Sequence, residues 1–279
     1  MSERLCLKGW PVAAVPSLVL NERERKEVQT ISHAYLEGLL VQQVVPPDQV
    51  RGLQTARHDI ETKLRRIIGS VPRFYYGGSY GKDTMIRVSY DLDIVVYFSH
   101  TDSTPVRDIY ATVYHGLKNA GYIVQPKTVA IRLPYEGGFH IDVVPGRAQD
   151  AMYRYATLYK NPGSTLQTSL KMHIDAVRRP GVREIVRLAK LWRARQGLSW
   201  STFPLEITVV RALAGRPITD YADAVIRLWR FTVANIQTVR LVDPSNTNNV
   251  IELSATERSL LVQAANVSLA APTWSEVLW

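Results

Sequence analysis

Residues 75–98 constrain this chain more than any other stretch. They open with Tyr75-Tyr76-Gly77-Gly78-Ser79-Tyr80-Gly81-Lys82-Asp83-Thr84 and end in Asp91-Leu92-Asp93-Ile94-Val95-Val96-Tyr97-Phe98. An apolar run, a glycine turn and a polar helix start are thus followed by a strand that opens on two carboxylates. Side chains alternate across a strand, so Asp91 and Asp93 share one face while Leu92 points into a core. Two carboxylates side by side repel, and a divalent cation relieves the repulsion. The Gly-Gly-Ser turn leaves backbone N–H groups free at a helix start, where phosphate binds. A phosphate cradle beside metal-binding carboxylates implies chemistry on a nucleoside triphosphate.

Composition narrows the class. The chain has 279 residues, room for one large domain or two lobes, and 46% of them are hydrophobic, enough for a sizeable core. The formal net charge of +9 suits anionic partners such as NTPs or RNA. Cys6 is the only cysteine, which excludes an intramolecular disulfide and a Cys-rich zinc site. No apolar run reaches membrane-spanning length and no secretory leader is visible, so the expectation is a cytoplasmic protein with no membrane partner.

Along the chain, residues 1–20 read as an extended arm. A helix starts near Asn21, with Val28, Ile31, Tyr35 and Leu39 at helical spacing. Pro46-Pro47-Asp48 breaks it and opens a second helix with Leu53, Ala56, Ile60 and Leu64 on one stripe. Both are expected to pack behind the sheet and, over 21–69, to brace both lobes. Strands are predicted at 73–76, 91–98 and 122–124, a helix at 104–120, and a hairpin of 128–134 with 138–144 turning at 135–138. This order gives a mixed-sheet α/β (α+β) lobe over 1–150. Residues 151–279 read as a mainly helical lobe, with the active site in the cleft between the two. The clearest helix there, 182–196, carries Val182, Ile185, Val186, Ala189 and Trp192 on its apolar stripe and Arg183, Arg187 and Lys190 on another face. Between 151 and 200 ten Lys/Arg stand against two acidic residues, which suits triphosphate or an RNA activator or acceptor.

The series Gly-Gly-Ser-Tyr-Gly-Lys-x-Thr followed by Asp-x-Asp resembles the DNA polymerase β nucleotidyltransferase superfamily. That family carries a third carboxylate on a later strand, and Phe139-His140-Ile141-Asp142-Val143-Val144-Pro145 offers Asp142. The second lobe resembles the branch of oligoadenylate synthetases, cGAS and the bacterial CD-NTases. Ile185–Trp192 is similar to its spine helix, Thr202-Phe203-Pro204-Leu205-Glu206 to its small-aromatic-x-Leu-Glu segment, and Leu241–Val250 to its Asp-Pro…Asn-x-Val turn. The resemblance spans roughly residues 70–265; the zinc insertion of cGAS has no counterpart.

By this resemblance Gly78 and Ser79 cradle the β,γ-phosphates with Lys82 nearby, and Lys190 neutralises triphosphate charge. Asp91 and Asp93 hold two Mg²⁺ ions, or Mn²⁺, and Asp142 joins the ion facing the acceptor hydroxyl. Thr202 and Phe203 border the nucleotide, with Phe203 stacking on a base where relatives often have Tyr. Glu206 makes a structural polar contact within its helix, Asp243 and its neighbouring asparagines build a turn, His140 shares the Asp142 face but reads as a strand-end histidine, and His173 opens a helix after Thr168-Ser169. The implied activity joins ATP and other NTPs into a cyclic or short linear oligonucleotide messenger in antiviral or antiphage signalling. The alternatives are an RNA 3′-end nucleotidyltransferase or toxin, and a non-catalytic RNA-binding module.

Overall fold

The computed structural model describes residues 22–135 and 139–279. The arm expected at 1–20 and the tip of the hairpin turn lie outside them. The element order is α1 (Glu22–Gln42), α2 (Pro47–Ile68), β1 (Arg73–Tyr76), α3 (Gly78–Lys82), β2 (Leu92–Phe98), α4 (Val106–Asn119), β3 (Gln125–Pro126), β4 (Ile131–Pro134), β5 (His140–Ala148), β6 (Ala156–Lys160) and β7 (Ser164–Thr168). There follow α5 (Leu170–Val177), α6 (Val182–Arg195), α7 (Thr202–Ala212), α8 (Tyr221–Asn235), the hairpin β8 (Leu241–Asp243) and β9 (Asn246–Ile251), and α9 (Ala255–Ala270).

Seven strands form one mixed sheet. Its main path runs β1-β2-β5-β4-β3, and β6 and β7 extend it from β5. β2 and β5 are parallel, and the remaining pairs are antiparallel. β2 is central and covered on both faces, which explains its almost unbroken apolar run from Ile94 to Phe98. Leu92, Ile94 and Val96 point to one side, where they meet Leu53, Ile60 and Leu64 of α2 and Val113 and Leu117 of α4. Val95 and Tyr97 point to the other, against Ala156 and Leu158 of β6.

A second core is helical. Trp192, Trp200, Trp229 and Trp274 are all fully buried in it, with Trp229 lying 6.0 Å from Trp192 and 5.5 Å from Trp274 between ring centroids. Every residue of the stripe read on α6 is buried, as are Leu188 and Leu191, because neighbours pack on more than one side of that helix.

Four expectations change. First, α2 does pack behind the sheet, but α1 does not: Leu36, Leu39 and Leu40 join the helical core. Second, the sheet does not stop near residue 150; β6 and β7 carry it to Thr168, so the division at 150 cuts through a continuous ladder. Third, the short strand expected at 122–124 forms at Gln125–Pro126, where pairing to Arg132 and Ile131 of β4 fixes it. Fourth, β2 begins at Leu92, leaving Asp91 just before it. Among the described residues no helix is long and apolar enough to cross a membrane.

The two cores can be probed separately. Leu64→Ala in the sheet core should cost about 2–5 kcal/mol, and Trp229→Ala in the helical core about 3–5 kcal/mol. Urea unfolding of each variant measures both, and a loss below about 1 kcal/mol at either site would contradict the assigned packing.

Candidate active site

The ladder itself assembles the carboxylates. Asp93 of β2 lies directly beside Asp142 of the parallel strand β5, in register, so both side chains leave the same face of the sheet. Asp91 is held by His140, whose Nδ1 lies 2.8 Å from the Asp91 carboxylate, and His140 Nε2 lies 3.7 Å from Asp142. On the far side Arg132 of β4 grips Asp142 through two hydrogen bonds, Nε at 2.9 Å and a terminal nitrogen at 2.8 Å. Arg132 and Asp142 are cross-strand partners, so this pair follows from the hairpin register.

The glycine turn closes over the same point. The Gly77 N–H donates to the Asp93 carbonyl at 2.8 Å, tying the turn to β2. Gly78 has φ +50°, and a Cβ built there would lie 1.5 Å from Asp93 Oδ2. Only glycine permits both that backbone and that approach. The carboxylate of Asp93 therefore rests on the turn that carries Ser79.

Crowding shows in the ionisation. Burial, and then the Asp142 charge, raise the Asp93 pKa to about 6, with Lys82 opposing. Burial raises Asp91 as well, with His140 opposing and Asp142 adding to the rise. A pair of carboxylates that resist sharing charge is a donor set for a hard, oxygen-seeking cation. Among the described residues, however, no three His, Cys, Asp or Glu side chains converge into a ready cluster. Asp142 is turned to Arg132 and Asp91 to His140, so the residues fit a divalent cation at Asp91 and Asp93, with Arg132 competing for Asp142.

The predicted cations lie deeper than phosphate contacts would. Lys82 Nζ is 2.5 Å from Glu206 Oε2, and Lys190 Nζ donates to the Thr84 carbonyl at 2.9 Å and to its hydroxyl at 3.0 Å, with Glu206 at 3.5 Å. Lys82, Thr84, Lys190 and Glu206 are all buried. Burial lowers the Lys190 pKa to about 8, against the pull of Glu206. The polar contact expected within the Glu206 helix thus reaches across to α3 and α6 instead. The same face of α6 sends Arg187 to the Leu40 carbonyl at 2.9 Å and Arg183 to within 3.5 Å of Asp83.

Thr202 accepts a hydrogen bond from Arg193 at 3.1 Å. Phe203 is partly buried against the helical core, 5.5 Å from Lys82 Nζ and 4.8 Å from the His173 ring. His173 in turn meets Asp243 at 2.8 Å, and Ser245 and Asn249 donate to the same carboxylate, so Asp243 does build a turn. Burial works to raise the Asp243 pKa, but hydrogen bonds from His173 and Ser245 hold it near 2. Arg132 escaped the sequence reading, although the hairpin register would have put it opposite Asp142.

No protein-family model matches the chain. Its architecture is the α/β nucleotidyltransferase fold seen in solved CD-NTase structures. The chain is similar to CdnC of Escherichia coli MS115-1, solved as a CdnC:HORMA-deltaN complex, at TM-score 0.67 and 19% identity over 88% of this chain and 96% of that one. It is similar to Bradyrhizobium diazoefficiens CdnG in complex with GTP at TM-score 0.67 and 18% identity, over 84% and 89% of the two chains. In sequence it is 25% identical over 197 residues to the cyclic AMP-AMP-AMP synthase of Escherichia coli strain MS 115-1, a match covering 63% of this chain and 61% of the relative.

Two outcomes follow from this geometry. Glu206→Gln leaves Lys82 and Lys190 buried without a counter-charge and should cost about 3–5 kcal/mol in chemical denaturation; a loss under about 1 kcal/mol would contradict the buried pairing. Asp93 has a folded pKa above its ordinary value, so its contribution to stability is complete at acid pH and is lost as pH rises through about 6. Asp93→Asn should therefore gain on the wild type between about pH 4 and pH 7. Parallel melting-temperature profiles for the two proteins would refute the crowding.

Proposed function

We propose that this chain is a nucleotidyltransferase that joins nucleoside triphosphates into a cyclic or short linear oligonucleotide, releasing pyrophosphate at each bond. The observation that carries the reading is the Asp93 carboxylate, in register with Asp142 and resting on Gly78. It lies in a fold shared with E. coli CdnC, solved with ATP, and with CdnG, solved with GTP.

Each side chain has a task in this reading. Gly78 and Ser79 receive the β- and γ-phosphates on their backbone and hydroxyl groups. Asp91 and Asp93 would hold two Mg²⁺ or Mn²⁺ ions, which when bound neutralise triphosphate oxygens and acidify the acceptor hydroxyl. Asp142, released from Arg132, faces the acceptor, and Arg132 is then free to meet negative charge there. Phe203 offers a ring face to a base, backed by His173, a contact that tolerates base identity. Lys82 and Lys190 act on the triphosphate through position, because their pairing with Glu206 and Thr84 fixes α3 against α6 and α7. In-cleft cyclisation needs the linear intermediate to present its own hydroxyl to its own triphosphate, at high effective concentration.

The RNA-acceptor alternative draws on the basic run at 151–200. Within that run Arg183, Arg187, Lys190 and Arg193 bind internal partners, which leaves less of it for a polyanion than its composition implies. A cytoplasmic role in antiphage signalling fits the same reading.

Purified protein with labelled ATP alone or an NTP mixture, Mg²⁺ or Mn²⁺, and optional RNA tests this. Phosphatase-resistant small products are expected, and Asp93→Asn should lower their formation more than about a hundredfold. Label that enters only RNA, or an undiminished rate in Asp93→Asn, would overturn the reading.

A further inference from the structure

Away from the carboxylates a cavity of about 280 Å³ opens between β1, β2, the turn before β6, and α5. Tyr75, Tyr97 and Tyr153 form its aromatic wall, and Leu170 and Ile174 of α5 face them. The Tyr75 ring lies 5.9 Å from Tyr97 and 6.5 Å from Tyr153, tilted by 56° to each. Such inclined rings can receive a planar group against their faces or edges.

Tyr97 is the informative member. The residue is only 3% exposed, and its hydroxyl makes no hydrogen bond among the described residues. A hydroxyl that opens to the cavity and is unpaired by protein is free to donate to a ligand there. Burial and the neighbouring Tyr75 raise its pKa, so it stays a neutral donor. Tyr153 is held with φ +55°, a conformation rare for an aromatic residue. The turn at Asp150 fixes it there, with the Tyr153 N–H on the Asp150 carbonyl at 3.0 Å.

The mouth is basic. Arg154, Lys171 and Arg178 line it, and Arg73 stacks on the Tyr153 ring at 4.1 Å. Two carboxylates oppose these four cations. Asp150 meets Arg154 at 3.3 Å, and Asp175 contacts Lys171 and meets Arg178 at 3.2 Å. Cations remain in excess over the two carboxylates, and the Arg154 and Arg178 side chains, 66% and 64% exposed, lie at the surface of the mouth.

We propose that this cavity is a second ligand site, for a nucleoside monophosphate. The base would lie among the three tyrosines, with a ring nitrogen or carbonyl accepting from Tyr97, and the phosphate would sit at the Arg154–Arg178 mouth. A cavity of about 280 Å³ has room for a base, with the rest of the nucleotide reaching its open mouth. Tyr97 shares its strand face with Asp93 but lies four residues further on, roughly 13 Å away along β2. One mononucleotide therefore cannot occupy both places. α5 separates them, lining the cavity through Ile174 while setting His173 against Phe203.

The test is photolabelling of the full chain with 8-azido-AMP, followed by peptide mapping, a readout independent of turnover. Label is expected on peptides containing Tyr153 or residues 170–178. Unlabelled AMP should compete at least about tenfold better than adenosine or inorganic phosphate. Tyr97→Phe keeps the ring and should weaken labelling about five- to tenfold; if that variant misfolds, the exposed pair Arg154→Ala with Arg178→Ala should weaken it at least as much. Label confined to peptides bearing Ser79 or Phe203, unchanged affinity in these variants, or competition by phosphate alone equal to that by AMP would each overturn the proposal.

Discussion

Glu206, buried between the ammonium groups of Lys82 and Lys190, is the interaction on which the arrangement of the molecule depends. It stands on α7, Lys82 on the short helix that follows the glycine turn, and Lys190 on the long helix of the second core. Charges taken out of water are tolerable only when paired, and breaking one side leaves the other stranded. The cluster therefore fixes one relative position of α3, α6 and α7. Through it Phe203, which follows Thr202 at the start of α7, lies 5.5 Å from the Lys82 ammonium at the end of α3. In the proposed function the glycine turn and this aromatic ring serve the same nucleotide.

The carboxylates are organised by the opposite principle. Asp91, Asp93 and Asp142 repel one another, and the protein restrains them with groups of opposite charge or hydrogen-bonding capacity. His140 sits on Asp91, Arg132 on Asp142, and the Asp93 side chain is pressed onto Gly78. Under the proposed function a divalent cation would replace part of this restraint, and Arg132 would have to give up Asp142 for that carboxylate to act. Register makes the arrangement precise to within a side chain: parallel pairing sets Asp93 beside Asp142, and antiparallel pairing sets Arg132 on its other flank.

Much of this was legible in the chain. Alternation identified β2 and the hairpin, because a period of two is a local property of a strand, although Asp91 falls just before β2. The apolar stripe of α6 was equally plain. What could not be read depended on distant partners. Lys82 meets Glu206 across 124 residues and Lys190 meets Thr84 across 106, so neither lysine announced that it faces a buried carboxylate or hydroxyl rather than open solvent. α1 has an apolar stripe that would suit either core; the choice was settled by Leu36, Leu39 and Leu40 fitting among the tryptophans. β6 and β7 were missed because their short polar-rich segments, Ala156–Lys160 and Ser164–Thr168, gain strand character from the edge of β5 they extend.

The central claim is that Asp91 and Asp93 carry metal beside a triphosphate seated on Gly78 and Ser79. It is tested most directly by crystals grown with Mn²⁺ and a non-hydrolysable ATP analogue, with the metal located by its anomalous scattering. The account predicts anomalous density against both carboxylates and triphosphate density on the glycine turn. Manganese bound away from Asp91 and Asp93, or a triphosphate seated elsewhere in the molecule, would contradict it.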